Sequence, residues 1–422
     1  MLRVLSLSLL GMLWWQGSSH SLQSGAKKDS QAKPLRRIAI NIKPTVVAVS
    51  PDGKWIAVAN GSPSFYLLGG GKSEVADDWQ ATALILNAAT GKTVVRLKLS
   101  TTEEDALLDE TERVPPFQVE ALAFSPDGRM LAIGTTVGQI KLYEVKTGNL
   151  RLTLDDEKAK LADKNTPEKL RTFKRALGSD SSLAFSPDGR QLAACGDSFS
   201  DSRLVREKYE RSTLSSTGPG RLKVWDIATG KLQHDLVGHD RHANAVAFSP
   251  DGKLLASAGS WAGSEHGSGV ILWNPQTGAK IRRITTTANG GTNGVVFSPD
   301  SQHVAIGYRY YESSSPDGKS VLRLCRVDTG KIEWEHTIPG WTRIKSITPD
   351  GKSVALRGPN TIHFVDLQTG KSLRNIGVKL SPEPNRWGDI AIAAGAGTIV
   401  MAGVDAKGGF LEVWDVEGFR GK

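Results

Sequence analysis

The chain has 422 residues. Hydrophobic residues make up 39% and charged residues 23%, which excludes a wholly disordered chain. Two cysteines, Cys195 and Cys325, exclude a disulfide-stapled scaffold and a cysteine-based zinc site. The net charge of +9 raises nucleic acid, acidic polysaccharide or an anionic membrane as partners, and 45 glycines favour many tight turns over long helices.

The first residues have the parts of a secretory signal. Arg3 supplies the positive start, Val4 to Trp15 is a mostly apolar run, and Gly17, Ser18 and Ser19 are small. Residues 1–19 are the expected signal peptide, cut after Ser19 or Ser21. The apolar run is shorter than the about 20 residues that a membrane span needs. A membrane-anchored, uncleaved form is the alternative. No cysteine follows the run, so a bacterial lipoprotein anchor is excluded. The expectation is an exported protein, periplasmic or extracellular, with no membrane span after cleavage. Residues 20–33 are rich in Ser, Gln and Lys without an apolar period, and read as a flexible tether. Much of the positive charge gathers at this end. Residues 38–422 carry only +4, so no nucleic-acid partner is expected.

From residue 34 onward the chain repeats itself. A short apolar strand followed by a Pro-Asp-Gly turn occurs at Val46–Gly53, Ala121–Gly128, Ser182–Gly189 and Ala245–Gly252. Less perfect copies are Val295–Ser301 and Ser346–Gly351, and Ile390–Gly397 keeps only the apolar strand. Downstream of each comes a strand ending in a Thr-Gly turn or its remnant. These are Leu84–Lys92, Ile140–Gly148, Leu222–Lys231, Val270–Gly278, Leu322–Lys331, Ile362–Lys371 and Leu411–Gly418. In Pro-Asp-Gly, proline fixes φ, aspartate bonds its own turn and glycine takes φ > 0. Each unit therefore reads as a four-stranded antiparallel meander. Its first two strands are apolar at successive positions, so both of their faces must be buried, against neighbouring sheets.

These units resemble WD-repeat β-propellers. Trp225-Asp226 and Trp414-Asp415 match the signature dipeptide of that family, and Trp273-Asn274 nearly matches it. Leu86-Asn87, Tyr143-Glu144, Cys325-Arg326 and Val365-Asp366 depart from it. The family's Gly-His pair occurs once, as Gly238-His239. The resemblance implies a buried Asp–His–Ser–Trp network, which no blade completes. Blade 4 comes closest, with His239, Ser257 and Trp273. The fold it implies over residues 34–422 is all-β: a single seven-bladed propeller of four-stranded antiparallel blades. The seventh repeat lacks a fourth strand after its turn. Pro34–Ile42 has the character of that strand, and is expected to pair with Leu411–Val416 and close the ring. A closed ring within one chain implies a monomer. It also sets Cys195 and Cys325 in non-adjacent blades, so both are expected to be buried free thiols.

Equivalent turn aspartates are separated by 75, 61, 63, 49 and 50 residues from Asp52 to Asp350, against about 40–45 for a minimal unit. The extra length falls in second–third or fourth–first strand connections, which emerge on one face of a meander blade. Such a decorated face often binds partners. Its insertions include an acidic stretch (Thr101–Glu120), a candidate amphipathic helix within Asp155–Leu177 and a Ser-rich stretch (Gly196–Arg221). Trp79, Trp261, Tyr308, Tyr310, Tyr311, Trp341 and Trp387 are placed in connections on this face, beside Arg309, Arg343 and Arg386. Aromatics beside arginine have the composition of interface hot spots. Packing of the rings at the channel mouth is the structural alternative.

No Gly-x-Ser-x-Gly, Walker or His-Glu-x-x-His motif is present. His239 and His242 have no third ligand at a metal-binding spacing, and no polar residue recurs at the channel mouth. No catalytic residue, metal or cofactor is expected. The reading is a non-catalytic interaction or scaffold protein that binds a protein or, alternatively, a polysaccharide. A propeller hydrolase or lyase working in the central channel, and a TolB-like periplasmic propeller, are the competing readings.

Overall fold

The computed structural model describes residues 34–60, 81–99, 119–135, 139–154, 183–196, 220–240, 243–259, 268–286, 291–310, 318–348, 350–358, 361–377, 390–392, 397–405 and 407–415. Residues 1–33, expected to hold the signal and tether, lie outside this set, as do most of the insertions.

The described residues form seven antiparallel sheets of four strands. Strand β1 (Arg36–Ile40) comes first. Blade 1 is β2–β5 (Val46–Val49, Trp55–Ala59, Thr82–Asn87, Thr93–Lys98). Blade 2 is β6–β9 (Val119–Phe124, Met130–Thr135, Ile140–Glu144, Leu150–Leu154). Blade 3 is β10–β13 (Leu183–Phe185, Gln191–Gly196, Gly220–Asp226, Leu232–His239). Blade 4 is β14–β17 (Ala243–Phe248, Leu255–Gly259, Ser268–Trp273, Lys280–Thr286). Blade 5 is β18–β21 (Thr292–Phe297, His303–Tyr310, Lys319–Arg326, Ile332–Pro339). Blade 6 is β22–β25 (Arg343–Ile347, Ser353–Arg357, Thr361–Asp366, Ser372–Gly377). Blade 7 is β26–β28 (Ile390–Ile392, Thr398–Asp405, Gly408–Asp415), with β1 as its fourth strand.

The innermost strands β2, β6, β10, β14, β18, β22 and β26 pack side by side in that order, and β26 returns to β2. This is the seven-bladed propeller that the repeats imply. Its core lies between blades. Seven apolar clusters each join two neighbouring blades. For example, Val270 and Leu272 of blade 4 meet Val304, Ile306 and Cys325 of blade 5. That arrangement is why the second strands are buried along their whole length, as at Leu255–Gly259. Cys195 and Cys325 are both buried and are not joined in a disulfide.

The ring closes as expected. β1 is antiparallel to β28, in the register Arg36↔Val413 through Ile40↔Gly409. Ile38 and Ile40 join Val400, Leu411 and Val413 of blade 7 and Val47, Ile56 and Leu84 of blade 1. Arg37 clamps the strand. It bonds Asp405 at 2.7 Å, lies 3.6 Å from Glu412 and stacks 3.7 Å from the centroid of Phe410.

The two repeated turns have distinct chemistry. In the first, Ser50 donates to the Asp52 carboxylate at 2.7 Å, and that oxygen accepts the Lys54 backbone N–H at 3.0 Å. Ser125/Asp127, Ser186/Asp188, Ser249/Asp251, Ser298/Asp300 and Thr348/Asp350 repeat the device. The Ser125 hydroxyl is the main reason that the Asp127 carboxyl sits below its ordinary value. In the second turn the signature Asp is a cap: Asp226 accepts both the N–H and the hydroxyl of Thr229 at 2.7 Å. Asn87 and Asp366 play the same part toward Thr90 and Thr369, while Glu144 accepts the Thr147 hydroxyl and Asn274 the Thr277 N–H. The apparent departures at Asn87, Glu144 and Asn274 thus keep the acceptor that the turn needs. The Thr-Gly glycine also makes a close approach. Gly370 has φ +69°, and a Cβ there would lie 2.7 Å from the Trp334 ring of the preceding blade.

Candidate interaction face

The expected aromatic surface is only partly assembled within the described residues. Trp79, Trp261, Tyr311, Arg386 and Trp387 lie outside them, and of Tyr310 only the backbone is described. Blade 5 corrects the expected loop boundary. Tyr308, Arg309 and Tyr310 belong to β19, where they pair with Val321, Ser320 and Lys319. The hairpin strands run on for three residues past the place where the aromatic run suggests a connection.

Tyr308 is not a surface residue. It is 3% exposed and faces blade 4 with Ile306 and Cys325. Its hydroxyl donates to Glu335 at 3.1 Å and accepts from Arg323 at 2.9 Å, while the Arg323 Nε–H donates to Glu335 at 2.8 Å. Burial pushes the Tyr308 phenol up. Burial also pushes the Cys325 thiol up to about 11, which leaves it protonated and unreactive at neutral pH. This cluster is an internal brace of blade 5.

What the decorated face does present is a cation–π pair. Trp341 follows β21 in the connection to blade 6, and the Arg309 guanidinium lies 4.5 Å from its ring centroid. Trp341 is seated over Gly318, where any Cβ would strike the indole nitrogen. Beneath it Ser320 accepts the Thr342 N–H at 2.7 Å and donates to the Gly340 carbonyl at 3.0 Å. Arg309 and Trp341 remain partly exposed. Arg343, also partly exposed, opens β22 opposite the buried Arg357. The structure thus brings Arg309, Trp341 and Arg343 to one sector at blades 5 and 6.

A polar position does recur at the decorated-face end of the inner strands, contrary to the expectation from sequence. Glu120, Asn244 and Asn293 each stand five residues before the turn serine and occupy a bulge against the second strand. Asn244 donates to the Thr292 carbonyl at 3.2 Å, and Asn293 to the Thr342 carbonyl at 2.5 Å. They tie β14 to β18, and β18 to the residue that precedes β22. Among the described residues, no group of three or more His, Cys, Asp or Glu is placed to hold a metal ion.

Three of the four members of the family network come together where β13 of blade 3 meets blade 4. Trp273 Nε1–H donates to Ser257 Oγ at 2.9 Å, and His239 Nε2 is hydrogen-bonded to the same oxygen at 2.8 Å. All three side chains are buried. His239 Nδ1 has no hydrogen-bond partner among the described residues. Burial lowers the imidazole from 6.5 to about 4, so the ring is neutral. Blade 3 shows why the network is confined here: Ala194 stands where blade 4 has Ser257, and Trp225 Nε1 is buried without a hydrogen-bond partner.

Seven four-stranded blades, turns capped by the signature acid and one His–Ser–Trp network make the chain a seven-bladed β-propeller that carries WD40 repeats. A family model described as "WD domain, G-beta repeat" matches residues 169–204 and 230–274. A model described as "Anaphase-promoting complex subunit 4 WD40 domain" matches residues 107–164. The chain is similar to Protein HIR1 of Candida albicans, 30% identical over 46% of this chain and 22% of that protein. It is also similar to Protein HIR1 of Kluyveromyces lactis, 27% identical over 55% of this chain and 24% of that protein. The chain thus spans less than a quarter of the length of these HIR1 relatives. An uncharacterized WD repeat-containing protein of Synechocystis is 27% identical over 46% of this chain and 43% of its own length. Among solved structures, Kuenenia stuttgartiensis hydrazine synthase shares the fold with a TM-score of 0.58. It is 12% identical, over 87% of this chain and 94% of that one.

Proposed function

We infer that the chain is a non-catalytic interaction protein whose decorated face receives a protein partner at blades 5 and 6. WD40 repeats support the general role, and the stacked Arg309–Trp341 pair carries the placement. An indole with a guanidinium stacked on it offers a broad, largely preorganised contact surface of the kind that dominates protein interfaces. The opposite face is made of short, uniform turns whose Asp and Thr side chains are occupied in capping. The charged and apolar sequence of residues 1–19 supports export, with the tether carrying the ring into the periplasm or beyond.

The test is capture of partners from the envelope fraction of the source cells. Wild-type protein is compared with Trp341→Ala, Arg309→Ala and the turn-face control Lys253→Ala. The first two should lose partner proteins that the control retains. Equal capture by all four would overturn the placement. N-terminal sequencing of the mature protein tests export, with a start at residue 20 or 22 expected.

A further inference from the structure

We propose that the partner received at blades 5 and 6 docks through an acidic, extended stretch of its own chain. This deepens the placement of the partner at that sector and rests on it.

The decorated end of the sector is built from cations. Arg309 lies near the end of β19, opposite Ser320, and Lys319 opens β20 opposite Tyr310. Across the seam Arg343 opens β22, and Lys345 occupies the bulge of that strand, between Ile344 and Ser346. All four are partly exposed. Arg357 backs them. It is 7% exposed and stands directly opposite Arg343 in the β22–β23 register. Like charges directly opposite in a ladder repel, and an anionic group bound beside them offsets that repulsion. Among the described residues 308–310, 318–323, 335–347, 354–358 and 361–363, Glu335 supplies the one carboxylate. Arg323 and Tyr308 already hold it, at 2.6 and 3.1 Å.

The sign of the charge changes around the face. Five residues before the turn Ser or Thr stands Glu120 in blade 2, Asn244 and Asn293 in blades 4 and 5, and Arg343 in blade 6. An acidic ligand is thus drawn to one sector and turned away from another. The cations also lie on separate strands of two blades rather than around one point. Neighbouring strands stand about 4.8 Å apart, and an extended chain advances about 3.3 Å per residue. Successive carboxylates of an extended segment meet such a row, whereas a lone phosphate reaches only part of it. Arg309, held on the indole, presents a fixed fork to a carboxylate. A single-stranded nucleic acid is the other polyanion, and it binds largely by stacking its bases on aromatic rings. Trp341 is not laid open for that: Arg309 covers the ring at 4.5 Å, and Gly318 lies against its Nε1.

The experiment uses full-length protein and a displayed library of random peptides. Retained peptides are sequenced. One of them, fluorescently labelled, is titrated by anisotropy against wild type, Trp341→Ala, Arg343→Glu and the turn-face control Lys253→Glu. Circular dichroism checks that each variant is folded, and Arg343→Gln stands in if Arg343→Glu is not. The proposal predicts that retained peptides are rich in Asp and Glu. It predicts an affinity about tenfold or more weaker in Arg343→Glu and Trp341→Ala, but unchanged in Lys253→Glu. Raising the ionic strength from about 0.1 M to about 1 M should weaken binding to wild type. Retained peptides with no acidic bias that still depend on Trp341 would overturn the acidic class and leave the placement standing. Acidic peptides bound equally by all four proteins would overturn both. A single-stranded oligonucleotide that binds more tightly than the peptide, with the same loss in Arg343→Glu, would replace the acidic segment with a nucleic acid.

Discussion

The His239–Ser257–Trp273 network makes the protein sensitive to mild acid, a sensitivity to which His363 and His336, whose imidazoles burial also lowers, add their own share. His239 is buried beside Ser257 and Trp273, and its imidazole is lowered from 6.5 to about 4, chiefly by desolvation. In the unfolded chain the ring protonates near its ordinary value. The native state therefore holds its full contribution above pH 6.5 and loses it progressively as pH falls toward 4. The difference is worth about 3 kcal/mol, at about 1.4 kcal/mol per pKa unit. The turn aspartates, whose carboxyls are lowered from 3.8, contribute mainly below that value and so lie outside the window. The perturbation is His239→Gln, which keeps a polar group toward Ser257 and cannot charge. The assay is urea unfolding of wild type and variant at pH 7 and pH 4.5, followed by tryptophan fluorescence. Wild type should lose most of the 3 kcal/mol over that interval relative to the variant, whose stability is nearly flat from this source. Equal pH dependence in the two proteins would refute the assignment.

The other predictions concern the ring. Deleting residues 34–42 removes Ile38 and Ile40 from the seam, at about 1.5–3 kcal/mol for each buried side chain. The urea midpoint should fall accordingly, and a truncated protein with an unchanged melting temperature would sink closure by β1. Gly370→Ala places a methyl group at φ +69° and 2.7 Å from Trp334. It should cost about 1–3 kcal/mol in the same assay, whereas Gly377→Ala, with open space around it, serves as the neutral comparison.

Much of the architecture was legible because it rests on local signals that recur in six of the seven repeats, with an apolar strand remaining in the seventh. Pro-Asp-Gly and Thr-Gly announce turns by their own chemistry, and the strands between them carry an unmistakable two-faced apolar pattern. The missing fourth strand of the last repeat pointed directly to Pro34–Ile42. Blade 4 was readable because its three network residues are of unusual types at family positions. The site was less legible, for physical reasons. Tyr308 and Tyr310 sit in one aromatic run, and only strand register separates an internal brace from the decorated end. The partners of Tyr308, Arg323 and Glu335, lie 15 and 27 residues away. Arg323 reads as surface charge until blade packing encloses it. Asn244 and Asn293 carry no motif at all. Their function is set by a bulge, and a bulge is a property of two strands together rather than of one sequence segment.

The most direct test of the account is hydrogen exchange on the full-length protein with and without a partner captured from cells. The account predicts added amide protection on partner binding at Tyr308–Tyr310, Gly318–Ser320 and Gly340–Arg343, with the Pro-Asp-Gly turns of residues 126–129, 187–190 and 250–253 unchanged. Protection at those turns, with residues 308–343 unaffected, would contradict it.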